Sequence, residues 1–312
     1  MKGLAIAALL ALQLALVLVP AAQAGPEVTV LLHHPDDDVD IFGFPYSPAG
    51  DYFTTRYATL AADDQRFDFP FFVADGVLPL EKLPDSARPY ESARLAYSDA
   101  ADARLGQAHA VTMRLATTAQ AEGSALVVVT MDPVAPLPDE DLHLMVALAE
   151  DPVHYLAPPA LTNGIEEHRF TVRAVADLGV IDLTGPAEAT HAFALDDGWA
   201  VDRLIVAAWL QQDAPSPRFD AREVVQATHV ALGGDVVQDT KGVLLEMLSA
   251  TWCKPCLYGD LAIEAVAVAH GAAEPLALDS GPRYFQAPPS PVLAAVAAAL
   301  AGAAVAWWGG RK

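Results

Sequence analysis

Short apolar segments bounded by Pro, Gly and Asp recur along the chain and predict strands near both ends and throughout its middle. Residues 27–34, which read Glu-Val-Thr-Val-Leu-Leu-His-His, predict a buried strand that ends at a proline. Residues 69–74 predict a second strand, and the Asp-Gly that follows predicts a tight turn to an antiparallel partner at 77–80. Helices are expected at 51–62 and from about residue 85 to about residue 105, because apolar residues recur there at helical spacing.

The middle of the chain, residues 106–233, shows a different pattern. Seven candidate strands lie there between turns rich in Pro, Asp and Gly: 110–115, 125–131, 142–148, 168–175, 190–195, 203–210 and 223–230. Several of them alternate apolar and polar residues, as expected of a strand with one face on a core. Short strands with turn signals and no helical stretch predict a two-sheet sandwich of immunoglobulin-like architecture.

After residue 234 the pattern returns to one strand followed by one helix. Residues 242–249 are almost wholly apolar and predict a buried strand. The helix that follows carries apolar residues at i, i+4, i+8 and i+11: Leu257, Leu261, Ala265 and Val268. Gly271 suits its C-terminal cap. The predicted fold class is therefore α/β plus all-β.

The composition limits the possible partners. The chain has 312 residues, is 53% hydrophobic and carries a formal net charge of −22. Its acidic residues are spread along the sequence, and no cluster of Lys and Arg is present to bind phosphates. We therefore expect no nucleic-acid partner. Length and hydrophobic content allow one large or two ordinary domains.

Both ends carry signals typical of an exported membrane protein. Residues 1–24 combine Lys2, an apolar stretch and the small-x-small sequence Ala22-Gln23-Ala24, which predicts a cleaved signal peptide. Residues 291–312 form an apolar run that ends in Trp-Trp-Gly-Gly-Arg-Lys, which predicts a single C-terminal transmembrane anchor. The body of the protein is therefore expected on the extracytoplasmic face of the membrane.

The only two cysteines, Cys253 and Cys256, stand three residues apart where the apolar strand turns into the helix. At a helix start the backbone N–H groups and the helix dipole favour a thiolate, and Lys254 adds positive charge. A disulfide between residues this close encloses a short loop and stabilises the fold little, so the spacing favours redox chemistry over a structural role.

The sequence Ala250-Thr251-Trp252-Cys253-Lys254-Pro255-Cys256 resembles the Trp-Cys-x-Pro-Cys site of thioredoxin-like proteins. The chain is also similar to exported thioredoxin-like proteins, among them an outer-membrane lipoprotein family, in which a β-sandwich accompanies the redox unit. The resemblance implies that Cys253 is the nucleophile and Cys256 the resolving thiol, joined in a disulfide when oxidised. It further implies that Trp252 shields the site and that Pro70 is a cis-proline facing the disulfide.

The order of the pieces differs from that of the family. The strand and Cys-x-x-Cys helix lie near the C-terminal end, whereas the pieces that should follow them lie near the N-terminal end. We therefore predict a circularly permuted thioredoxin-like domain whose two parts flank the sandwich. The predicted segments are a signal peptide at 1–24, the second half of the domain at 25–105, the sandwich at 106–233, the first half at 234–272, a linker at 273–290 and the anchor at 291–312.

One residue of the family pattern is displaced. The family often has a buried acid six residues before the first cysteine, but here that position is Met247, and Glu246 lies one residue further away. A shift of one residue in a strand points the side chain to the opposite face. The proton-transfer role of that acid is therefore not assigned to Glu246.

These features predict a membrane-anchored thiol–disulfide oxidoreductase that acts on protein thiols or disulfides and needs no cofactor. The alternative is a non-catalytic or metal-delivery protein, in which Cys253, Cys256 and His33 or His34 form a thiolate–imidazole site suited to copper or zinc. The sequence leaves open whether the protein oxidises, reduces or isomerises its clients, which proteins these are, and the oligomeric state.

Overall fold

The structure is a computed structural model that describes most of the chain between residues 22 and 272. The described residues are 22–33, 70–76, 78–80, 89–121, 123–138, 141–154, 165, 167–212, 223–250 and 253–272. All of them belong to the first of two compact units, which comprise residues 1–273 and 274–312. The predicted helix at 51–62, most of the signal peptide and the predicted anchor at 291–312 lie outside the described residues. None of the helices described is long and apolar enough to cross a membrane.

The described residues form fifteen strands and two α-helices. The strands are β1 (Gln23–Ala24), β2 (Val28–His33), β3 (Phe71–Ala74), β4 (Leu78–Leu80), β5 (Val111–Gln120), β6 (Ser124–Pro133), β7 (Leu142–Glu150), β8 (Val153–His154), β9 (Glu167–His168), β10 (Thr171–Val180), β11 (Ala187–Ala194), β12 (Leu204–Gln212), β13 (Val224–Ala231), β14 (Asp235–Gln238) and β15 (Val243–Leu248). The helices are α1 (Pro89–Leu105) and α2 (Cys256–Ala269).

All seven strands predicted in the middle of the chain are present, each with shifted ends, as β5, β6, β7 and β10 to β13. Four short strands were not predicted: β1, β8, β9 and β14. They have two to four residues each, which is too few to display a hydrophobic period. The structure is therefore mainly β-sheet, as the pattern of apolar positions predicts.

Two sheets enclose the core of the sandwich. One has the strand order β1-β14-β5-β6-β11, and its strand β6 buries alternate residues, as a strand with one face on a core should. The second contains β13-β12-β7-β10. The core between them is built from side chains of both sheets, including Met113, Leu115, Val127, Val129, Leu144, Val146, Leu148, Val206 and Leu210. The packing of two sheets that the sequence predicts is therefore present.

The second sheet does not stop at the sandwich but continues as β10-β2-β15-β3-β4, giving eight strands in all. Strand β2 pairs in parallel with β15, and β3 lies antiparallel to β15. The link to the sandwich is one short parallel contact, in which the Leu32 N–H donates to the Phe170 carbonyl at 2.9 Å. Two segments that the sequence predicts as separate domains thus share one continuous sheet.

The two faces of β2 and β15 are covered by different elements. On one face, Val30, Leu32, Leu245 and Met247 pack in a cluster with residues of α1 and α2. On the other face, Leu31 and Leu244 join a cluster with residues of the sandwich strands: Met145, Ala147, Ala207, Trp209, Val224 and Ala227. The eight-stranded sheet therefore curls back on itself, so that β13 covers β15 without pairing with it.

The curl brings two backbones into close approach at Gly242. An ideal Cβ on this glycine would lie 2.0 Å from the carbonyl oxygen of Ala227 on β13. A side chain at position 242 would therefore separate β13 from the start of β15, and only glycine fits.

A buried ion cluster fixes the turn between β3 and β4 to other parts of the fold. The carboxylate of Asp75, which is 0% exposed, lies 3.0 Å from Nε of Arg104 and 2.8 Å from Nζ of Lys241. Its other oxygen accepts the Leu244 N–H at 2.7 Å, and its carbonyl accepts the Val224 N–H at 2.9 Å. One aspartate thus connects α1, β13, β15 and the segment before β15.

The two cations of this cluster have further partners. Arg104 reaches Glu223 at 2.6 Å, and Lys241 donates to the carbonyls of Val224, Val225 and Gly242. Burial lowers the pKa of Lys241, and the charge of Asp75 opposes that shift. The lysine is held in place by its hydrogen bonds to carboxylate and carbonyl oxygens.

We expect Asp75→Asn to lower the free energy of unfolding by about 3 kcal/mol, because Lys241 and Arg104 would stay buried without their shared anion. Urea denaturation with both the midpoint and the slope measured tests this. Asp235→Asn, which breaks the exposed pair with Arg114, is the matched control and should cost about 1 kcal/mol or less. Equal losses in the two variants would contradict the expectation.

Candidate functional site

The two cysteines form a disulfide at the start of α2. The S–S distance is 2.09 Å and the Cα atoms of Cys253 and Cys256 lie 5.3 Å apart. Cys256 is the first residue of α2, and Cys253 lies in the turn before it. The pair is therefore where the sequence predicts it, between the end of β15 and the helix. Trp252, predicted to shield the site, lies outside the described residues.

The sulfur of Cys253 lies close to the first backbone N–H of the helix. The Cys256 N–H is shared between the Cys253 carbonyl at 3.1 Å and Cys253 Sγ at 3.2 Å, and Pro255 at the N-cap position makes no side-chain hydrogen bond. The unpaired N–H groups and the dipole of a helix N-terminus stabilise negative charge. After reduction, a thiolate on Cys253 would therefore be favoured over one at an ordinary position.

The two cysteines differ slightly in their exposure to solvent. Cys253 is 5% exposed, Cys256 is 0% exposed, and both pack with Ala250 in a small apolar cluster. Cys253 is therefore the more exposed residue of the pair.

Pro70 packs against the helix that carries the cysteines. An ideal Cβ on Gly259 of α2 would lie 2.9 Å from Cγ of Pro70 and 3.1 Å from Sδ of Met247. Pro70 immediately precedes β3, whose Phe71 pairs with Leu248 at the end of β15. The structure thus brings Pro70 beside the second turn of α2. Its peptide bond to residue 69 lies outside the described residues, so the cis geometry stays a prediction.

The histidine considered as a metal ligand is engaged elsewhere. His33 ends β2, is 0% exposed, and its Nε2 lies 3.2 Å from Oε1 of Glu246. Both side chains lie on the face of the sheet opposite α2, whereas the cysteines lie at the start of α2. The described residues hold no group of three or more His, Cys, Asp or Glu side chains able to bind a metal ion. His34 lies outside them, so the thiolate–imidazole site stays a prediction.

One buried acid close to the pair in sequence was not predicted. Asp260 lies four residues beyond Cys256 on the buried face of α2, and Ser249 Oγ donates to its Oδ1 at 2.5 Å. Burial, and then the charge of Asp260, raise the pKa of Tyr97 on α1. The i, i+4 spacing from Cys256 was the signal that could have identified this residue.

A second ion cluster holds α2 against the sandwich. Arg169 donates to both oxygens of Asp151 at 2.7 Å and reaches Glu264 on α2 at 3.5 Å. Burial raises the pKa of Glu264, and the charge of Arg169 opposes the shift. The helix that presents the disulfide is therefore fixed at its second and third turns, by Pro70 and by Arg169.

Comparison with known proteins assigns no family. No protein-family model and no curated protein matches the sequence. Among solved structures, HBP35 of Porphyromonas gingivalis is 19% identical over 44% of this chain and 43% of its own, with a TM-score of 0.34. A domain of the outer membrane lipoprotein Omp28 from the same organism is 14% identical over 40% of this chain and 88% of that domain, with a TM-score of 0.26. The match thus spans less than half of HBP35, and neither similarity establishes a shared fold or function.

We expect Gly259→Ala to destabilise the protein by about 1–3 kcal/mol, because the added methyl would overlap the rigid ring of Pro70. Thermal and urea unfolding measure the effect. Gly185→Ala is the control, since an ideal Cβ there meets nothing within 4 Å and its φ is not in the left-handed region. If Gly259→Ala were as stable as the unaltered chain, the close packing of Pro70 on α2 would be wrong.

Proposed function

We propose that this protein is an extracytoplasmic thiol–disulfide oxidoreductase in which Cys253 and Cys256 alternate between disulfide and dithiol. The proposal rests on one observation: the disulfide lies at a helix start, where the sulfur of Cys253 accepts the backbone N–H of Cys256. A helix N-terminus stabilises a thiolate, which a redox-active cysteine must form and a purely structural disulfide does not.

The strand order supports a permuted thioredoxin-like unit. Strands β2-β15-β3-β4 are neighbours, with β2 and β15 parallel and β3 and β4 antiparallel, and α1 and α2 share one face. Strand β15, which precedes the Cys-x-x-Cys helix, thus lies beside β2 from the N-terminal part of the chain, as a permuted unit requires. The remaining strands support an immunoglobulin-like sandwich, because β5, β6 and β11 face β7, β12 and β13.

The roles that we propose for the two cysteines follow from their different exposure, 5% for Cys253 and 0% for Cys256. In the reducing direction, the Cys253 thiolate attacks a client disulfide, forms a mixed disulfide and releases the first client sulfur as a thiolate. Cys256 then loses its proton and attacks Cys253, which re-forms the internal disulfide and releases the second client sulfur. The client disulfide gains two electrons and the cysteine pair loses two. The reverse sequence oxidises a client.

We expect Cys256→Ser to trap covalent adducts between Cys253 and client proteins, because the serine cannot resolve the mixed disulfide. The adducts should appear on non-reducing gels of extracytoplasmic fractions and disappear on reduction. Cys253→Ser is the matched control and should form few adducts, since Cys256 is 0% exposed. No adduct with Cys256→Ser, together with stoichiometric copper or zinc binding by the reduced chain, would contradict the proposal and favour metal delivery.

The proposal also places the protein at a membrane through residues 291–312. Its support is the uncharged sequence from Tyr284 to Gly310 and the Trp-Trp pair before Arg311 and Lys312. The residues before the proposed signal cleavage, Gln23 and Ala24, pair with β14 in the full chain. Cleavage after Ala24 would therefore remove this edge strand and leave the other strands of the sheet intact.

We expect the full chain to sediment with membranes and to resist alkaline extraction, and a chain that ends at residue 272 to be released. Fractionation followed by immunoblotting measures both. Removal of Arg311 and Lys312 alone keeps the apolar segment and should leave the protein in the membrane. A full chain found in the soluble fraction would contradict the anchor.

A further inference from the structure

A buried carboxylate lies one helical turn beyond the buried cysteine. Asp260 is 7% exposed and follows Cys256 by four residues, a spacing that puts Cβ atoms about 5–6 Å apart in a helix. Its hydrogen-bond donor, Ser249, immediately precedes Ala250, which packs with both cysteines. The carboxylate is thus held next to the cysteine pair by its position on α2 and by the hydrogen bond from Ser249 at the end of β15.

The reduced form needs a proton acceptor at this place. A thiol attacks a disulfide only as a thiolate, and burial in apolar surroundings disfavours the thiolate. Cys256 is 0% exposed in the disulfide form, so a nearby protein group is better placed than bulk water to take its proton. Helix α2 carries two acids, and the other one, Glu264, lies a further turn away in contact with Arg169. Asp260 is therefore the acid of α2 that is placed to act on Cys256.

The buried acid on β15 does not lie on this side of the sheet. Glu246 bonds His33 on the face opposite α2, whereas its neighbour Met247 packs with the residues of α1 and α2. The hydroxyl of Tyr97, in that same cluster, donates to Met247 Sδ at 3.8 Å. Burial and then the charge of Asp260 raise the pKa of Tyr97. The carboxylate on the cysteine side of the sheet is thus supplied by the helix.

We propose that Asp260 accepts the proton of Cys256 as that thiol resolves a mixed disulfide on Cys253. The proton goes to the carboxylate, the Cys256 sulfur bonds to the Cys253 sulfur, and the bond from Cys253 to the client breaks. The client leaves as a thiolate, which then takes the proton from Asp260 directly or through water. This inference rests on the proposed redox function and adds the group that makes its second step possible.

The two steps can be measured separately with a symmetrical aromatic disulfide that releases a coloured thiolate. The reduced full chain should release one thiolate when Cys253 attacks and a second when Cys256 resolves the adduct. In Asp260→Asn we expect the second release to slow by about 100-fold or more, the usual contribution of a general base, while the first keeps its rate. Asp235→Asn, which removes the carboxylate of an exposed ion pair on β14, should leave both releases unchanged.

Three results would overturn the inference. The first is a second release that keeps its rate in Asp260→Asn. The second is an equal slowing of both releases, which would indicate that Asp260 has a structural role. If Asp260→Asn does not fold, the unaltered chain decides, because proton transfer in the second step predicts a slower second release in heavy water and an unaffected first. The absence of that isotope effect is the third result. A reduced, folded chain that releases no thiolate at all would instead overturn the redox function itself.

Discussion

The parallel pairing of β2 with β15 is the interaction on which the rest of the structure depends. Six residues from each strand are in register, from Val28 opposite Val243 to His33 opposite Leu248. Because a parallel pair needs a long crossover, the sandwich strands can lie between these two segments in the sequence. Once they pair, both strands end at the same edge of the sheet, and the Cys-x-x-Cys turn follows directly from that edge.

The sandwich contributes more than a connection between the two paired segments. Its strand β13 covers the face of β15 that the helices leave open, with Gly242 against Ala227. Asp75 accepts a backbone N–H of β13 and binds the two buried cations Arg104 and Lys241. Arg169 holds α2 through its ion pair with Glu264. These contacts are polar and buried, so each depends on its partner being present. The position of the disulfide is therefore tied to the packing of the whole unit.

The sequence predicted most strands, both described helices and the cysteine pair because each has a local signal. The seven middle strands have a two-residue period or turn residues at their ends, and the helix after Cys256 repeats its apolar face every turn. The shared sheet was not predictable in the same way, since the link from Leu32 to Phe170 is a single contact between strand ends. The partners of Asp75 were missed because Arg104 and Lys241 are distant in sequence and carry no common motif.

The position of the buried acid shows how a one-residue offset determines chemistry. Glu246 and Met247 are neighbours on β15, so their side chains must point to opposite faces. Glu246 therefore contacts His33, and Met247 occupies the space beside Gly259 and Tyr97 under the cysteine helix. An acid is still found on that side because α2 repeats its buried face at i, i+4 from Cys256. In this fold Asp260 on α2 lies one helical turn from Cys256, although the position on β15 where the family often has an acid is Met247.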